Sequence, residues 1–164
     1  MRLNPFLLLD DTDAGCVRYA VRAWLIAVVP ALALFLARIA TGAATFAPPP
    51  GTLDLRLAGY SIVVAPVIET ALMLALAWLI ARAIPGRRGV RTVTLATLFA
   101  LAHGIGGGWV QAVIVFWPSL VYSAILLAWW PRSYHAAFAL TAVVHALYNA
   151  TFFFIAGIAS IAAS

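Results

Sequence analysis

Five apolar runs, parted by short polar or basic segments, take up most of the chain, and their lengths predict membrane helices. The first, residues 18 to 46, opens on Arg18 and Arg22 and holds Pro30, which a membrane helix tolerates as a kink. Pro48-Pro49-Pro50-Gly51 stops it, and a short polar loop with Asp54 and Arg56 leads to the second run, about Gly59 to Ala83. The most basic segment follows, Pro85-Gly86-Arg87-Arg88-Gly89-Val90-Arg91. The third run, Thr92 to His103, would be only about 18 Å long as a helix, against a hydrocarbon core of roughly 30 Å. It is too short to cross alone. Gly104-Ile105-Gly106-Gly107-Gly108 is therefore expected partly inside the membrane, as irregular backbone covered by protein or a wet cavity, a flexible turn being the alternative. The fourth run, Trp109 to Trp130, carries Pro118 and has Trp at both ends, as interfacial belts prefer. The fifth spans Ala136 to about Ala159, after the turn Pro131 to His135. The expected architecture is an all-α polytopic membrane bundle of about five transmembrane helices, with one domain, 18–164, behind an N-terminal segment, 1–17. In that segment the patch Phe6 to Leu9 is too short to span and is expected on the membrane surface.

Composition agrees with the pattern. At 65% hydrophobic and 9% charged, the chain has more apolar surface than one soluble domain of its size can bury. The net charge of +5 comes from ten Arg and no Lys, and most of these Arg sit in short segments flanking apolar runs. That distribution excludes a nucleic-acid patch and sets topology instead. With Arg2, Arg18, Arg22, Arg82, Arg87, Arg88, Arg91 and Arg132 on the cytoplasmic side, the N terminus is expected inside and the C terminus outside. Cys16 is the one cysteine, so no internal disulfide forms, and Asp13-Ala14-Gly15-Cys16 lacks the surroundings of a lipidation site. The first run starts late, is longer than a signal-peptide core and contains Arg38, so no cleavage is expected after Ala47.

Candidate chemistry centres on Glu69, the only glutamate, in the middle of an apolar run. A carboxylate at membrane depth costs several kcal/mol unless it is paired, protonated or wetted, and so marks a functional position. Glu69 is thirteen residues from Arg82, His103 twelve from Arg91 and His145 thirteen from Arg132. Each therefore lies ~18 to 20 Å along its helix from a basic marker. Three runs deliver three ionisable side chains to one level, which outweighs the commoner role of a membrane histidine as a helix–helix hydrogen bonder. Phe99 shares a helix face with His103, and Asn149 with His145, each four residues apart.

Glu69 in Pro66-Val67-Ile68-Glu69-Thr70, then Phe99-Ala100-Leu101-Ala102-His103, then His145-Ala146-Leu147-Tyr148-Asn149 resemble the three motifs, in order, of the CPBP intramembrane proteases, relatives of the prenyl-protein CAAX protease. The resemblance covers about residues 60–155. Family members carry Glu-Glu-x-x-x-Arg, Phe-x-x-x-His and His-x-x-x-Asn/Asp. Here Thr70 replaces the second Glu and Leu74 the Arg. These two positions are four apart on a helix and would form an ion pair, so losing both strands no charge. Arg38 falls within about one turn of the level of Glu69 and is a candidate replacement partner; snorkelling to the outer interface is its other reading.

The resemblance implies an intramembrane endopeptidase that cuts a membrane-anchored protein, seated in a bacterial cytoplasmic membrane. Glu69 would act as general base on a water that His103 orients, while His145 and Asn149 donate to the developing oxyanion. Glu69, His103 and His145 are also a donor set for a divalent metal such as zinc, and the family has been described both as metalloproteases and as glutamic proteases. An inactive scaffold and a haem protein with two axial histidines are the other classes left open. The common level lies nearer the outer face, which points to exported, membrane-anchored substrates.

Overall fold

A computed structural model of the chain describes residues 9–13, 15–41 and 54–162. Regular structure there is helical throughout: α1 (Cys16–Ala40), the short α2 (Leu55–Gly59), α3 (Ala65–Ala83), α4 (Arg88–Trp129) and α5 (Tyr134–Ala162), with one π-helical turn, Tyr60–Val64, joining α2 to α3. The fold is the expected all-α membrane bundle. Four described helices are long and apolar enough to cross a membrane, Cys16–Ala37, Leu55–Ala83, Arg88–Trp129 and Tyr134–Ile158, where five were expected.

The difference lies in α4. The glycine-rich stretch is not irregular: helix persists through Gly107, and only Gly108 leaves it, at φ 77° and ψ 174°, a conformation open to glycine. In a straight helix Gly104 and Ala112 would stand about 12 Å apart. Instead a Cβ on Gly104 would sit 3.0 Å from that of Ala112. At the far end Arg88 donates to the Ala124 carbonyl at 3.2 Å, across 36 residues. α4 thus doubles back at Gly108 into two antiparallel arms. The first begins at Arg88, not Thr92, so it is about 30 Å long and the expected shortfall disappears.

Inward faces follow helical spacing. α1 buries Tyr19, Ala20, Ala23 and Ala27 and exposes Val17, Val21, Leu25 and Val29. On α3 the buried set is Pro66, Thr70, Met73, Ala77 and Ile80. The first arm of α4 buries Thr92, Leu95, Ala96 and Phe99, while α5 buries Ala137, Leu140, Thr141, Val144 and His145. Residues Val121–Trp129 of the second arm are buried on every side, so this arm is the axis around which the others pack. Both α4 and α5 touch α1 and α3. Exposed faces remain apolar, as lipid requires, and alanines at the contacts let the helices approach closely.

The basic ends gather at one end of the bundle. Asp10 pairs with Arg88 at 2.7 Å, Asp11 with Arg22 at 3.0 Å and Asp13 with Arg132 at 2.8 Å. Arg91 donates to the Ile84 carbonyl just past α3, at 2.8 Å. Leu9 is fully buried rather than laid on the membrane surface, and its carbonyl accepts from the Tyr19 hydroxyl at 2.9 Å. Phe6 to Leu8 lie outside the described residues. Asp54, expected in a loop, caps α2 by accepting from the Arg56 N–H at 2.8 Å.

Candidate active site

Glu69 sits one turn into α3, just beyond the π-helical turn, and that local irregularity has a sequence cause. In the π register the Ala65 N–H reaches back to the Tyr60 carbonyl. The next donor in that register would serve Ser61, but it is Pro66, which has no N–H. An orphaned carbonyl at membrane depth costs several kcal/mol. The Asn149 side chain fills the role, donating its Nδ2 to the Ser61 carbonyl at 2.8 Å. Asn149 thereby ties α5 to the entry of the helix that carries Glu69.

The level predicted from the arginines is one meeting point. Nε2 of His145 lies 3.5 Å from Glu69 Oε2, and Nε2 of His103 lies 3.7 Å from the same oxygen. Glu69 and His103 are partly accessible, at 27% and 28%, whereas His145 is buried at 7%. His103 Nδ1 lies 3.0 Å from the Phe99 carbonyl, which can only accept; Nδ1 therefore carries the hydrogen, and in the neutral ring Nε2 presents a lone pair towards Glu69. Phe99 also packs on the His103 ring, with centroids 4.7 Å apart. His145 stacks on Tyr122, centroids 4.5 Å apart and planes 25° from parallel. Its Nδ1 is buried with no partner among the described residues.

These groups line a cavity of about 660 Å³, walled by Pro30, Leu34 and Phe35 of α1, by the second arm of α4, and by Tyr148 and Asn149 of α5. A second, apolar cavity of about 410 Å³ lies between α3 and the first arm of α4, against Leu72, Leu76 and Leu79. Glu69, Phe99 and His103 border both, so the carboxylate stands in the partition between them.

Of the residues singled out in the sequence, Glu69, His103 and His145 converge and Phe99 supports His103. Asn149 borders the same cavity with one amide hydrogen committed to Ser61. Arg38 lies in α1, and its side chain falls outside the described residues. As for the divalent metal left open as an alternative on Glu69, His103 and His145, no group of three or more His, Cys, Asp or Glu among the described residues is arranged to hold one. Sequence reasoning missed Tyr122. It lies ten residues inside Arg132, close to the common level, but counting only charged side chains passed over it. Compared with known proteins, the chain matches no family model, no curated protein and no solved structure.

Proposed function

We propose that this protein is an intramembrane endopeptidase, similar to the CPBP proteases in its three motifs, and that Glu69 activates the water that hydrolyses a peptide bond of a membrane-anchored protein. The observation that carries the reading is the approach of two histidine Nε2 atoms to one carboxylate oxygen, at 3.5 and 3.7 Å, beside a cavity. Those separations exceed a direct hydrogen bond and suit a shared water. Such a water would donate one hydrogen to Glu69 Oε2 and the other to His103 Nε2, leaving its lone pair free for a carbonyl carbon. As the water oxygen bonds to that carbon, Glu69 takes the proton and the carbonyl electron pair moves onto oxygen. Collapse then expels the amine, which takes the proton back from Glu69. His145 has one hydrogen on its uncharged ring and, with Nδ1 buried, presents it at Nε2 towards the reacting carbonyl beside Glu69, with the free amide hydrogen of Asn149 as a further donor.

The haem alternative fits this arrangement poorly, because Glu69 Oε2 lies within 3.7 Å of both Nε2 atoms, where the macrocycle would have to pass. In this reading the protein sits in a bacterial inner membrane, and the positive-inside rule supports an arginine-rich end that faces the cytoplasm. His103 is fifteen residues from Arg88 and five from Gly108, roughly 22 Å and 8 Å along the arm, so the site favours substrates cut near the outer face. Quantifying C-terminal peptides in membranes that contain wild-type protein or Glu69→Gln tests the reading. New C-termini of membrane-anchored proteins are expected only with the wild type. Identical sets from both would leave an inactive scaffold.

A further inference from the structure

The described interior holds five buried polar atoms without a hydrogen-bond partner: Thr70 Oγ1, Tyr122 Oη, Ser123 Oγ, Trp129 Nε1 and His145 Nδ1. Thr70 and Ser123 can each turn to a carbonyl of their own helix by one side-chain rotation, as Ser and Thr in helices commonly do. Trp129 meets the Tyr19 ring edge-on, with centroids 5.3 Å apart. Tyr122 has no such outlet, since a phenol on a helix cannot reach its own backbone. A buried hydroxyl without a hydrogen bond is costly, and one that persists calls for a use.

Its position supplies one. Tyr122 is 2% exposed, its ring stacks on His145, and it borders the same cavity as Glu69 and His103. Tyr148 packs against its edge with centroids 6.3 Å apart, which fixes the ring plane. The donor the motif would use, Asn149, already spends one amide hydrogen on Ser61 at 2.8 Å. Trp117 Nε1 is committed to the Ile26 carbonyl at 2.9 Å. Gln111 and Tyr148 also bring donors to the cavity, from less buried positions; the Tyr122 phenol offers, from a buried ring held on both sides, a hydrogen that no described group claims.

We infer that Tyr122 is a catalytic residue of the proposed peptide hydrolysis, donating its O–H to the oxyanion formed when water adds to the substrate carbonyl, while Asn149 acts chiefly as a tie between α5 and the π-helical turn. No bond to Tyr122 forms or breaks. The carbonyl electron pair moves onto oxygen as the new C–O bond forms, the phenol hydrogen bonds to that oxygen, and the pair returns to carbon when the amine leaves. The inference rests on the protease reading, and the two can fail separately.

The test uses full-length wild type, Tyr122→Phe and Glu69→Gln, each supplied to membrane vesicles from host cells that lack the protein. New C-termini are followed over time, and thermal unfolding of each purified variant is measured alongside. Because Phe keeps the stack and removes only an unpartnered oxygen, Tyr122→Phe should unfold at the wild-type temperature or above it. Its rate of terminus formation should fall about 100-fold, the scale of losing one oxyanion donor. A wild-type rate in Tyr122→Phe with Glu69→Gln inactive overturns the role of Tyr122 and leaves the protease reading standing. A lower unfolding temperature for Tyr122→Phe overturns it as well, because the hydroxyl would then have a structural partner. Unchanged termini with Glu69→Gln overturn both.

Discussion

At the scale of single residues, three side chains act as one unit in the proposed chemistry. Glu69→Gln, His103→Ala and His145→Ala should each abolish processing with the protein still folded in the membrane, and the triple variant should be little worse than any single one. Initial rates of terminus formation for the four variants check this; losses that multiply would assign the three residues to separate tasks. The convergence itself was legible from counting residues inward from Arg82, Arg91 and Arg132, because a helix converts sequence distance into depth. What the count could not supply is orientation. It put Asn149 on the face of His145, yet the orphan carbonyl created by Pro66 draws that amide towards Ser61. Periodicity gave Tyr122 no weight, because an uncharged phenol in an apolar run reads as core.

At the scale of elements, two proline and glycine positions shape the framework. If Asn149 replaces the hydrogen bond that Pro66 cannot make, Asn149→Ala should destabilise the protein by about 1–3 kcal/mol. In the Pro66→Ala background the same change should cost less, since alanine returns an N–H to the π register. A double-mutant cycle on unfolding in detergent reads the coupling, and strict additivity would detach Asn149 from that turn. Gly108 is the other position. With φ at 77° and ψ at 174°, a region essentially confined to glycine, Gly108→Ala should cost about 1–3 kcal/mol. Gly106→Ala, where an added Cβ meets nothing within 4 Å, should be neutral or slightly stabilising. Equal effects at the two sites would mean that the reversal does not depend on Gly108. The sequence marked this stretch as special but not how: five residues with four glycines suggested loose backbone, whereas one residue absorbs the whole turn and the rest stay helical. Joining of the third and fourth runs was hidden for the same reason, since a fold-back needs one left-handed residue and leaves no polar loop to see.

At the scale of the whole molecule, charge organises the two ends. Asp10, Asp11 and Asp13 meet Arg88, Arg22 and Arg132 at the basic end, so the N-terminal segment ties α1, the start of α4 and the turn between α4 and α5 together there. Each pair is half-exposed and contributes at most about 1 kcal/mol, so the apolar faces carry most of the assembly. Sidedness follows from this clustering and can be read by labelling. In a Cys16→Ser background, a single cysteine at Asp54 should react with an impermeant reagent in intact cells, and one at Gly89 should not; the opposite pattern would bring the site's near face to the cytoplasm and select cytoplasmic substrates. The central claim, that Glu69 drives hydrolysis by water, is tested most directly with heavy-oxygen water. Vesicles holding the protein and its membrane-anchored substrates are incubated in it, and the new C-termini are weighed. Wild-type protein should yield termini carrying one solvent oxygen while Glu69→Gln yields none; labelled termini appearing equally with Glu69→Gln would contradict the account.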